Sequence, residues 1–251
     1  MRLVGVSAKA LPEAWGLQIA RYSRWSVRSA HIAFEGEPPR GAYIAVTWHS
    51  MNLLALAVSA ERGPQLCCAF VPPGIAGDAM RGWLRGTGVS PVLLPPDGAG
   101  NPVAALRQMA RALDEDLTIA IALDGPHGPV RVLRPGALWL ARLSGKPLVA
   151  MGYAARPAIR LPRWDRPLVP LLNTRIAVVC AAPIVIEHRA EIDDALCSRV
   201  ADALNGAERR AWAVLDSGAS LPSRGALSLA QSCRKTSEQG IAESRQRDRS
   251  G

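Results

Sequence analysis

Two short stretches of this chain bring together residue types that can do chemistry. The first is the turn Asp124-Gly125-Pro126-His127-Gly128-Pro129, with Arg131 just beyond it. Gly125 and Gly128 open backbone conformations closed to other residues, while Pro126 and Pro129 fix φ and stiffen the loop. A rigid turn presenting Asp124, His127 and Arg131 is suited to an anionic head group. The plainer reading is that Asp-Gly and Gly-Pro pairs are ordinary turn punctuation, with Asp124 a turn stabiliser. The second stretch is Trp48-His49, where an apolar run gives way to helical periodicity. A histidine at a strand-to-helix junction faces a ligand cleft; a satisfied, inert histidine is the alternative.

The elements around the turn say how it must be held. Residues 117–123 and 147–151 are continuous apolar runs without alternation, as in a sheet covered on both faces. A helix over 136–143 lies between them, so the stretch reads as a βαβ unit with the acidic turn at the end of its first strand. In open α/β sheets ligands bind outside the carboxyl ends of strands. Upstream, residues 9–25 place Leu11, Trp15, Ile19 and Tyr22 on one helical face with Arg21 and Arg24 opposite. Such a helix either settles at a membrane interface or packs on its own domain.

Further strands are expected at 27–35, 43–48, 65–71 and 91–94, and helices at 51–60, 76–85 and 102–113. The glycine-rich turn at 95–101 lacks the spacing of a nucleotide-binding loop. Residues 156–173, rich in proline and arginine, read as irregular. Strands at 175–181 and 184–186 come next, then a helical pattern over 189–215 in which Asn205-Gly206 is a candidate break. The expected fold is α/β, a central mostly parallel sheet flanked by helices. Residues 1–216 form one domain in this reading, and the polar tail 217–251 is expected to be disordered.

The turn, the glycine-led helix at Pro135-Gly136 and the segment Gly145-Lys146-Pro147 resemble the bacterial DUF374 family, a branch of the lysophospholipid acyltransferase superfamily. Trp48-His49 upstream and Trp164-Asp165 downstream add to the likeness, which runs over about residues 17–186. The resemblance implies a glycerophospholipid acyltransferase-like fold. It also implies transfer of a fatty acyl group from acyl-CoA or acyl carrier protein, as co-substrate, to a lysophospholipid or related lipid. His49 would be the general base. Three departures mark a divergent chain. Leu54 stands where the superfamily places the acid that orients the histidine. His127 replaces an arginine expected to clamp phosphate. Leu94-Pro95-Pro96-Asp97-Gly98 replaces a small basic turn. Asp124 could orient His49 instead, with Gly125 and Gly128 forming the turn and His127 and Arg131 contacting the head group. Loss of the base-acid pair would leave a lipid-binding or acyl-carrier-binding protein of the same fold.

Composition narrows the partners. The chain has 251 residues and a formal charge of +9. That favours an anionic membrane surface, a lysolipid or an acidic carrier protein. The arginines form no nucleic-acid motif and have no aromatic platform, so nucleic acid is not expected. Five cysteines without paired spacing, and four scattered histidines, predict reduced thiols and no metal. No apolar run approaches the roughly 20 residues that span a bilayer. A cytoplasmic protein is expected, peripheral on the inner membrane if residues 9–25 settle at its surface rather than pack on the domain.

Overall fold

The apolar runs IAVT and TIAIA become neighbouring parallel strands at the centre of a seven-stranded sheet. The computed structural model describes residues 10–62, 66–69, 74–92, 102–125 and 128–217. The expectations for His127, for the side chains of Cys67 and Cys68, for the turn at 95–101 and for the tail beyond Ser217 lie outside the described residues.

The strands are β1 (His31–Glu35), β2 (Ile44–Thr47), β3 (Leu66–Ala69), β4 (Ser90–Val92), β5 (Thr118–Ala122), β6 (Leu148–Arg160) and β7 (Leu168–Cys180). The helices are α1 (Ala10–Ser29), α2 (Asn52–Arg62), α3 (Gly74–Thr87), α4 (Pro102–Asp114), α5 (Gly136–Ser144) and α6 (Asp194–Asp216). The strand order is β1-β7-β6-β2-β5-β3-β4, and every pairing is parallel except β6 with β7. The fold is thus α/β with a largely parallel sheet between helical layers.

Both faces of the central strands are covered, which is why they carry no polar alternation. On one face Ile44, Val46, Ile119 and Leu148 pack with Leu113, Leu138, Leu140, Val200 and Leu204 from α4, α5 and α6. On the other, Tyr153, Ala155, Ile176 and Val178 meet Val27 of α1 and Leu54, Ala55 and Val58 of α2. Cys180 at the end of β7 and Cys197 in α6, both half-buried, are free thiols.

Four expectations change. Residues 27–29 continue α1 rather than opening a strand, because the buried Ser26 hydroxyl donates to the carbonyls of Pro170 and Leu171 and ties the last turn to β7. Residues 156–173 are not irregular: β6 and β7 form a long antiparallel hairpin closed by residues 161–167. Pro157 sits where its register shifts between Arg156 and Ala158, a place that does not require a ladder donor. Residues 184–186 supply only an isolated bridge, Ile184 to Leu148. The last helix starts at Asp194, where Asp193 accepts the Leu196 N–H as its cap, and runs unbroken through Asn205-Gly206.

The face of α1 is also the reverse of a simple core helix. Its buried residues are Gly16, Ala20, Ser23, Ser26 and Val27, and a Cβ on Gly16 would stand 1.8 Å from the Ala79 carbonyl oxygen of α3. Small residues let the two helices touch backbone to backbone. The larger Leu11, Trp15, Ile19 and Trp25 are left exposed, Trp15 at 71%.

Candidate functional site

β2 and β5 run parallel and end side by side, so the segments leaving the two strands meet. After β2 the chain passes Trp48 into a 3-10 turn at His49–Met51 and then into α2. After β5 comes the acidic turn. The Leu123 N–H donates to the Thr47 carbonyl at 2.9 Å, extending the ladder to the point where the two segments touch.

Asp124, 1% exposed, holds this junction through the main chain. Its Oδ1 accepts the His49 backbone N–H at 2.8 Å, and its Oδ2 accepts the Arg131 backbone N–H at 3.1 Å. The carboxylate thus fixes the backbone of the histidine rather than bonding its ring. Gly125 and Gly128 have φ of +65° and +70°, the left-handed region where a side chain is strained. At Gly128 space is a second reason for glycine: a Cβ would lie 3.0 and 3.1 Å from ring atoms of Trp164.

Trp164 brings the hairpin turn over the site. Its ring centroid is 5.2 Å from that of His49, with the planes tilted by 36°. The next residue, Asp165, is buried and places Oδ2 3.9 Å from His49 Nε2. Arg163 Nε lies 3.2 Å from the other carboxylate oxygen, an ion pair without hydrogen-bond geometry. The remaining ring nitrogen, Nδ1, is buried and has no hydrogen-bond partner. Leu54 is fully buried among Val27, Met51, Tyr153 and Ile176. The acid facing the imidazole comes from the β6-β7 turn.

Burial pushes the His49 imidazole below the ordinary 6.5, Asp165 and then Asp124 pull it back up, and Arg163 lowers it again. Loss of hydration disfavours the charged ring and dominates. A neutral imidazole beside a carboxylate is the state a general base requires near pH 7.

Arg131 is committed elsewhere. Its guanidinium donates to both carboxylate oxygens of Glu208, each at 2.8 Å, and to Asn205 Oδ1 at 3.0 Å. The expectation of a head-group contact therefore meets a cation already paired to α6. Arg134 donates to the Gly128 carbonyl at 2.7 Å and closes the turn from the other side. Trp48 is fully buried and donates its indole N–H to Asn205 Oδ1 at 3.0 Å.

The expected site residues His49, Asp124, Gly125, Gly128 and Arg131 come together at the ends of two adjacent strands. From sequence, Trp164 reads as a core or cleft-wall residue, and Asp165 enters only as one member of an order of motifs, with no role assigned to it. Asn205 and Glu208 are not legible there as site residues; a polar pair three apart on an otherwise apolar helical face is the signal that could have found them.

No family model matches the chain. An uncharacterised protein of Rickettsia prowazekii (strain Madrid E) is 24% identical over 139 residues, 55% of this chain. The chain spans 62% of that relative's length. Among solved structures, the 1-acyl-sn-glycerophosphate (LPA) acyltransferase PlsC of Thermotoga maritima aligns over 82% of this chain and 84% of its own, at 17% identity and a TM-score of 0.47. No helix among the described residues is long and apolar enough to cross a membrane.

Proposed function

We propose that this chain transfers a fatty acyl group from an acyl thioester, on coenzyme A or acyl carrier protein, to a lysophospholipid or related lipid acceptor. The observation that carries the reading is Asp165 facing His49 at the carboxyl end of β2, in a chain whose usual orienting position is the core residue Leu54. His49 takes the acceptor hydroxyl proton as the oxygen attacks the thioester carbonyl. The C–S bond then breaks, and the imidazolium returns its proton to the departing thiolate. The charge of Asp165 stabilises the imidazolium while it lasts. The likeness to DUF374, and the order of motifs behind it, supports the same chemistry.

Head-group charge falls to Arg163 in this reading: its single contact with Asp165 leaves most of the guanidinium exposed, whereas Arg131 is held by both oxygens of Glu208 and by Asn205. The exposed face of α1, with Leu11, Trp15, Ile19 and Trp25 next to the exposed Arg21, fits an anionic membrane surface. The working location is then the cytoplasmic face of the inner membrane.

A second reading, a non-catalytic lipid-binding or acyl-carrier-binding protein of this fold, is favoured by the partnerless Nδ1 and the 3.9 Å separation of His49 from Asp165. Radiolabelled acyl thioesters offered with a lysolipid panel separate the two. Transfer by the chain, falling roughly 10²- to 10⁴-fold in a folded His49→Ala variant, supports the enzyme. Absence of transfer from both proteins, with lipid or carrier binding retained, supports the binding protein and overturns the enzyme.

A further inference from the structure

Helix α6 reaches the candidate site from the far side of the sheet, and its approach is unusually close. A Cβ on Gly152 of β6 would lie 2.1 Å from the Ala207 carbonyl oxygen, so α6 rests directly on the strand backbone. Ala207, Ala211 and Leu215 pack with Ala154, Ala177 and Val179 and fix the helix in rotation. Asn205 and Glu208, three residues apart, then share one face. That face is turned to the residues on either side of the site.

We propose that Asn205 and Glu208 are positioning residues that set the imidazole of His49 through two linked chains of hydrogen bonds. In the first, Asn205 Oδ1 accepts the indole N–H of Trp48, the residue immediately before His49. In the second, Glu208 accepts from the guanidinium of Arg131, whose backbone N–H completes Asp124, whose other oxygen holds the His49 N–H. Asn205 Oδ1 also accepts from Arg131, so the two links share an atom. Arg131 has φ of +59°, a conformation costly for a residue with a side chain. Its pairing with the buried Glu208 carboxylate helps hold that backbone in place. The catalytic meaning of the inference rests on His49 being the base; its positional content does not.

The test uses the full chain with labelled histidine, the His49 ring resonance being assigned with His49→Ala. Glu208→Gln should shift that resonance and move its titration midpoint, and Glu208→Asp should restore part of both. Arg210→Gln serves as control, since it breaks an exposed ion pair of the same helix with Glu35 and should change neither. In acyl transfer, Glu208→Gln should lower kcat about 10- to 100-fold with KM little changed, the scale expected when a catalytic group is misplaced by about 1 Å. Should Glu208→Gln not fold, Asn205→Ala reads the first link through the Trp48 indole and His49 ring resonances. A His49 ring unchanged in the folded variants overturns the inference. A wild-type chain without transfer whose His49 ring still moves in Glu208→Gln upholds the positional inference and overturns the proposed activity instead.

Discussion

The carboxylate of Asp165 stands 3.9 Å from His49 Nε2, although one residue belongs to the turn between β6 and β7 and the other comes just after β2. The parallel pairing of β6 with β2 and the reversal of the hairpin bring them together. At this distance the carboxylate favours the charged form of the ring. Burial keeps the His49 imidazole below 6.5 in the folded chain, so kcat/KM should rise with pH through a midpoint below 6.5 and stay level above it. Asp165→Asn removes the larger of the two carboxylates that raise the ring and should move the midpoint down. Arg163→Gln removes a neighbouring positive charge and should move it up. A pH-rate profile, or a titration of the ring resonance, reads both. Stability has the same sign: below pH 6.5 the unfolded chain binds more protons at this position than the folded one. Its contribution should therefore fall as pH drops from 6.5 through the folded midpoint.

Gly125 and Gly128 share a left-handed φ but not their surroundings. A Cβ at Gly125 would meet Arg134 Cγ at 3.6 Å, ordinary contact, whereas at Gly128 it would press on the Trp164 ring at 3.0 Å. Gly125→Ala should cost about 1–2 kcal/mol from backbone strain. Gly128→Ala should cost more, and should also displace Trp164 from His49. Thermal melts give the difference in stability. A change in tryptophan fluorescence in Gly128→Ala alone would report the displaced ring, and an unchanged His49-Trp164 geometry by NMR would contradict the account.

Those two glycines were legible from sequence because a turn of Asp-Gly and Gly-Pro pairs has few alternatives. So were β2 and β5, whose unbroken apolar runs leave little but a covered parallel sheet. The β6-β7 hairpin was hidden because Pro157 and Pro170 lack the N–H that a ladder uses and the arginines between them look like loop. In the structure Pro157 falls at a register shift, while the Pro170 carbonyl accepts the hydroxyls of Tyr22 and Ser26. With the hairpin hidden, the acid at its tip could not be placed against His49. Asn205-Gly206 misled for a local reason: both residues are poor helix formers, yet the Asn205 side chain is occupied by Trp48 and Arg131.

Leu54 gives a direct test of whether the usual acid has been lost or relocated. Its side chain is fully buried among apolar neighbours. Leu54→Asp would bury an unpaired carboxylate and remove a packed side chain, at a cost of about 3 kcal/mol or more. It should therefore lower the melting temperature without raising transfer. Asp165→Asn should leave the melting temperature nearly unchanged by comparison and lower transfer. Improved transfer in Leu54→Asp would mean that the ring can turn toward α2 and that Asp165 is dispensable.

The two faces of α1 make opposite predictions. Gly16 has the Ala79 carbonyl oxygen within 1.8 Å of where a Cβ would be, so Gly16→Ala must part α1 from α3. Overpacking of this kind costs about 1–3 kcal/mol, and a thermal melt should show it. Trp15 is 71% exposed, so Trp15→Ala should change stability by no more than about 0.5 kcal/mol. If the face of Leu11, Trp15, Ile19 and Trp25 meets lipid, that same substitution should weaken sedimentation with vesicles containing anionic phospholipid. Arg21→Gln should weaken it further at low salt than at high, since screening shortens the reach of its charge. Equal sedimentation of wild type and both variants would remove α1 from the membrane contact, while the stability contrast between Gly16 and Trp15 would stand on packing alone.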